Sequence, residues 1–148
     1  MKTIKFLLIA ILLASFIPTF AQKENSTMDK LQATVWWDGP LPKWVSYMKF
    51  SKTKWMITTK YEGKLGTKTG HPNEYYLSDM IDTVFDVSKV GKIQNGKYII
   101  ENGAIIEIVK LDNTNFWYKV LYPEVNVGSD YIFKWSAVSD KGIPWKEE

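Results

Sequence analysis

Residues Asn95 to Val120 read NGKYIIENGAIIEIVKLDNTNFWYKV, and the stretch contains two Asn-Gly pairs. Both residues of such a pair tolerate positive φ, which suits the two-residue turns of β-hairpins. Lys97–Glu101 and Ala104–Leu111 therefore read as two strands joined by Asn102-Gly103. The run Asp112 to Asn115 then turns the chain into a third strand, Phe116–Tyr122. Ile105 to Val109 is apolar on both faces, which predicts a strand covered on both sides. The counting for an EF-hand calcium loop starting at Asp112 fails, because Trp117 and Pro123 stand where glycine and glutamate are required.

The same punctuation recurs outward from this stretch, at Asp38-Gly39-Pro40, Glu62-Gly63, Gly66, Gly70, Gly91 and Gly128. Short β-type segments between frequent turn signals predict an all-β sandwich or barrel. Period-2 patterning supplies the faces. Tyr131, Phe133, Trp135 and Ala137 alternate with Lys134 and Ser136; Trp44, Met48 and Phe50 share a side, as do Trp55, Ile57 and Tyr61. Trp36 and Trp37 are adjacent in a strand and so point to opposite faces, one of them outward or under the Gly39–Pro42 loop.

The first 21 residues follow the three-part plan of a secretory signal peptide. Lys2 and Lys5 precede the uncharged run Phe6 to Phe16, and Thr19 and Ala21 stand where a signal peptidase reads. The run falls short of the roughly 20 residues a membrane span needs, although a retained anchor is the alternative. Cleavage after Ala21 leaves a polar leader, residues 22–30, read as flexible, and one domain, residues 31–148. Removing two of the 19 lysines leaves 17 against 16 acidic residues, and the chain has no arginine. Arginine supplies the bidentate forks that phosphates and bases favour, so nucleic acid is not an expected partner. With no cysteine, the domain must stand on packing, for which its many large rings provide ample apolar area.

The segment His71 to Lys89 admits two readings. Leu77, Met80, Ile81, Val84 and Phe85 follow helical spacing, with Asp79, Asp82 and Asp86 opposite, and Pro72 and Glu74 suit a helix start. Yet Tyr76-Leu77-Ser78, Phe85-Asp86, Ser88-Lys89-Val90-Gly91 and Gly96-Lys97-Tyr98 together form a pattern that resembles the middle of small lipocalin-like domains of secreted Bacteroidetes proteins. The resemblance covers about three quarters of the chain that cleavage after Ala21 would leave. It implies a closed antiparallel β-barrel in which Tyr75 to Ser78 is a strand; a short helical turn within residues 77–86, lying across one mouth, would satisfy both readings. About eight strands are then expected: Thr34–Asp38, Trp44–Phe50, Trp55–Tyr61, Tyr75–Ser78, Lys97–Glu101, Ala104–Leu111, Phe116–Tyr122 and Tyr131–Val138.

Chemistry-bearing residues are few. His71 is the one histidine, placed in a Gly/Pro loop without an evident orienting partner. With no cysteine and no second histidine, zinc-type sites lack their usual ligands. Asp79, Asp82 and Asp86 read as an exposed face, since sugar hydrolysis needs two carboxyls fixed about 5–10 Å apart. No cofactor, no metal and no enzymatic activity are expected. The rings are the informative group. An eight-stranded barrel is either filled by its side chains or holds one small ligand, so Trp44, Trp55, Tyr61, Tyr131, Phe133 and Trp135 are the candidate ligand-binding residues. The expected function is a secreted or periplasmic protein holding a small apolar or amphipathic molecule, with tyrosine hydroxyls orienting it. A solid barrel acting through its surface, as an interaction or inhibitor protein, is the alternative. A cavity above roughly 300 Å³ would favour the first, and a packed interior with an exposed apolar patch the second.

Overall fold

The structure, a computed structural model, describes residues 24–39, 41, 43–62, 67–123, 130–143 and 145. The expected signal peptide lies outside the described residues. The described chain opens with a helix, α1 (Thr27–Gln32), followed by β1 (Val35–Trp37), β2 (Trp44–Phe50), β3 (Lys54–Tyr61), β4 (Thr67–Thr69) and β5 (Asn73–Ser78). A 3-10 turn at Val87–Lys89 leads to β6 (Tyr98–Glu101), β7 (Ala104–Leu111), β8 (Asn115–Tyr122) and β9 (Phe133–Val138). All pairings are antiparallel. β1, β2, β3, β5, β6, β7, β8 and β9 follow one another around a closed eight-strand barrel, with β9 returning to β1 and β4 added beside β3.

Closure is uneven. β2 and β3 pair over seven residues, from Trp44↔Tyr61 to Phe50↔Trp55. β3 meets β5 only at Lys54↔Glu74 and Trp55↔Asn73, after which its outer half pairs with β4. The β6–β7 hairpin has the register that the Asn102-Gly103 turn predicts, Glu101↔Ala104, with Gly103 at φ 89°. Asp112 builds the β7–β8 turn: its Oδ1 accepts the N–H groups of Thr114 and Asn115, both at 2.8 Å.

The pleat sorts the apolar residues into two clusters. Trp36, Met48, Phe50, Tyr75, Leu77, Ile99, Ile106, Phe116, Tyr118 and Trp135 converge inside the barrel. On the outer face, Tyr76, Ile100 and Ile105 are covered by Phe85, Val90, Ile93 and Leu121. This is why Ile105 and Ile106 are both buried: the connection from Asp79 to Lys97 lies over the outside of β5 to β7.

That connection is not the amphipathic helix its spacing suggests, and no helical turn forms within residues 77–86; the turn comes later, at Val87–Lys89. The apolar residues divide between two environments. Leu77 points into the barrel from β5 and Phe85 stacks near Tyr76 at 5.6 Å, while Met80, Ile81 and Val84 are exposed. The Asp82 carboxylate accepts from the Tyr76 hydroxyl at 3.0 Å and pairs with Lys89 at 2.8 Å, and Asp86 accepts from Ser88 N–H at the start of the 3-10 turn.

The leader is a second correction. Within residues 22–30, read as flexible, α1 begins at Thr27 and is anchored. Ser26 and Asp29 form a capping box, each side chain accepting the other's backbone N–H at 3.1 Å. A six-residue helix is marginal alone, so tertiary contacts hold it. Met28 and Leu31, one turn apart, are buried in the barrel cluster, and Met28 N–H donates to Gln94 O at 2.9 Å. The Trp36 indole donates to Leu31 O at 3.0 Å. The Tyr75 hydroxyl donates to Ser51 O at 2.8 Å and lies 3.0 Å from the Met28 sulfur.

Candidate functional site

Rings occupy much of the interior. Phe116 is 5.7 Å from Trp36, 5.6 Å from Phe50 and 5.1 Å from Tyr118, and Tyr118 in turn stacks on Phe133 at 5.0 Å. What they leave is a partly open cavity of about 150 Å³ between β2, β3, β6, β7 and β8. Its lining is almost wholly apolar, with Met48, Ile99, Ala104, Ile106 and Val120 among the aliphatic contributors. The lining residues with polar groups are Glu101, Trp55 and Tyr118. The volume is half of the 300 Å³ scale expected for drug-sized guests. It matches the size at which an apolar cavity holds a benzene-sized molecule.

Glu101 stands out. It ends β6, two residues after Ile99, and the period of the strand aims it into the barrel with that isoleucine. It is 9% exposed, and its Oε2 accepts the Trp55 indole N–H at 3.1 Å. Burial pushes its carboxyl above the ordinary glutamate range, and the Trp55 bond only partly opposes this. Burial likewise raises the Tyr118 hydroxyl, against the opposing influence of the Trp135 indole.

Of the six candidate residues, Trp55 alone lines the cavity. Trp135 is buried within the ring cluster, 6.4 Å from Tyr118, and Phe133 supports Tyr118 from behind. Trp44, at the start of β2, is 43% exposed, and Tyr131, just before β9, is 50% exposed. Tyr61 is half-buried with the Lys68 ammonium 5.6 Å above its ring. Strand alternation thus assigns the correct side to Trp55, Phe133 and Trp135, but the sheet ends leave Trp44 and Tyr131 in solvent. The residue missed is Glu101, and its signal was present: in KYIIENG a carboxylate occupies the inward register shared with Ile99. Of the adjacent tryptophans, Trp36 is wholly buried inside and Trp37 half-buried on the other face.

His71 is exposed. Among the described residues, no group of three or more His, Cys, Asp or Glu side chains is placed to hold a metal ion, and no helix is long and apolar enough to cross a membrane. The fold is a closed antiparallel barrel with a small interior cavity. No family model, curated protein or solved structure matches this chain.

Proposed function

We propose that this chain is a lipocalin-like binding protein, exported to the periplasm or beyond, that encloses one small, largely apolar guest and catalyses no reaction. The cavity carries the reading: an apolar chamber inside the barrel whose wall includes the buried Glu101 and the ring of Tyr118. A barrel that served only as a scaffold would have no need of Glu101 at an inward position, where an aliphatic side chain costs less. The pattern of residues 1–21 supports export, and the chain's intact mass from its host should then correspond to a start at Gln22. Asp82 and Asp86 are engaged in shaping the β5–β6 connection, which favours a structural role over a catalytic one.

The test is a titration of the purified protein with ethylbenzene, followed by methyl NMR of Ile99, Ile106 and Val120. Saturable shifts confined to these wall residues are expected. Unchanged spectra up to the solubility limit would refute an interior site of this size.

One observation favours the alternative of an interaction protein. Met80, Ile81, Val84 and Val87 are all exposed on the β5–β6 connection, and clustered apolar exposure marks contact sites. A photo-crosslinking residue at position 84 in the native host should then capture one specific protein adduct. A cell without such an adduct counts against this reading.

A further inference from the structure

The electrostatics of Glu101 narrow the guest further. A carboxylate offers about four lone-pair positions. Among the described residues Glu101 has one hydrogen-bond partner, the neutral indole of Trp55 at Oε2. None of the ion pairs involves it. Among the described residues Oε1 therefore has no donor, yet it is not sealed away, since no polar side-chain atom among them is both buried and unpartnered. Tyr75 across the β5–β6 ladder and Tyr118 on the cavity wall are held neutral by burial, and Asp38, which also acts on Tyr118, is acidic, so none of them brings a positive charge.

A buried carboxyl either meets a cation or shifts toward its neutral form, and no cation among the described residues meets this one. Resting on the interior-site reading above, we propose that the guest supplies the missing charge: a small amine with an apolar body, its protonated nitrogen on Glu101 Oε1. About 150 Å³ limits the guest to roughly six to eight non-hydrogen atoms, near the size of benzene. The rings of Phe50, Trp55, Phe116 and Tyr118 around the cavity add the attraction of aromatic faces for a cation. Anionic amphiphiles such as fatty acids are excluded by the same carboxylate and by length. Burial raises the Glu101 carboxyl, so a bound ammonium would hold the ionised form against that desolvation.

The test compares three probes of equal heavy-atom count, benzylamine, benzyl alcohol and ethylbenzene, by calorimetric titration of the full purified protein at neutral pH, alongside Glu101→Gln. Benzylamine should bind at least about tenfold tighter than ethylbenzene, the worth of one charge-assisted bond. Glu101→Gln should abolish that preference while retaining ethylbenzene, which also shows that the variant is folded. Should ethylbenzene or benzyl alcohol bind as well as benzylamine, or should the variant keep the amine preference, the amine proposal fails and the interior site survives. If none of the three binds, both fall together.

Discussion

The Trp55 indole donates to Glu101 across two strands, β3 and β6, that do not pair with each other. Both flank β5, and β3 pairs with β5 at two positions only before turning to β4. The bond therefore bridges a thinly paired part of the barrel wall, on the side where the cavity lies. One side-chain contact serves closure and shapes the site together.

Trp55→Phe separates these roles, because it keeps a ring on the wall and removes the donor. It leaves a buried carboxyl without its partner, which costs about 1–3 kcal/mol. Urea unfolding at neutral pH should show that loss. A change within about 0.5 kcal/mol, as for an ordinary surface substitution, would mean the bond contributes nothing to closure.

Glu101 also predicts a pH dependence with a definite sign. Its folded-state value is raised above the free value of 4.5 by burial, so the native state holds the extra proton. Stability is then lost as pH rises from about 4.5 through the raised value. Glu101→Gln lacks this titration, while Tyr75 and Tyr118, both raised by burial, stay neutral throughout. Below pH 4.5 the difference between wild type and variant should be flat. Above it, the difference should move steadily in the variant's favour. Parallel curves from pH 4 to 7 would show that the carboxyl titrates as a free glutamate does.

The all-β class was legible in the sequence because its signals are local, whereas closure into a barrel was implied only by the lipocalin-like resemblance. Asn102-Gly103 and Asp112 set two hairpin registers, and alternation in residues 133–137 sets an inward face. The β5–β6 connection misled because its apolar residues recur at helical spacing, yet two of them, Leu77 and Phe85, bury on opposite sides of the sheet. Residues 27–30 looked like leader because Met28 is the one large apolar side chain among them, although Ser26 and Asp29 form a legible capping box. The cavity was not legible, since its volume depends on how Phe50, Phe116 and Tyr118 pack. A list of large rings names candidates for filling space as readily as for lining it.

Trp135 tests the assignment of inner and outer faces. It is 4% exposed and packs near Tyr118. Trp135→Ala should cost about 3–5 kcal/mol, the usual range for removing a buried large ring, as read from denaturant midpoints. A loss near zero would put the ring outside the core and reverse the register of β9.

α1 is predicted to be an integral part of the barrel. Met28→Ala should destabilise by about 2–5 kcal/mol through the cavity it leaves, and Ser26→Ala by about 1 kcal/mol through loss of the cap. Hydrogen exchange at Met28 N–H, which donates to Gln94 O, should be as slow as that of the neighbouring strands. Rapid exchange there would return residues 27–30 to the flexible leader.

Two glycines with contrasting roles give the sharpest test of the chain path. A Cβ on Gly96 would meet Ser78 N at 2.6 Å and Ser78 O at 2.8 Å. The obstacle is backbone, in the last residue of β5, which pairs with Tyr98, so the strands must separate to admit a methyl group. Gly103 instead sits at φ 89° with nothing within 4 Å of a built Cβ; its constraint is conformational, and asparagine tolerates positive φ. Gly96→Ala should therefore cost about 2–3 kcal/mol, at the upper end of single substitutions, while Gly103→Asn should stay within about 1 kcal/mol. The reverse order in urea midpoints would show that the chain does not pass between β5 and β6 as closely as Gly96 requires.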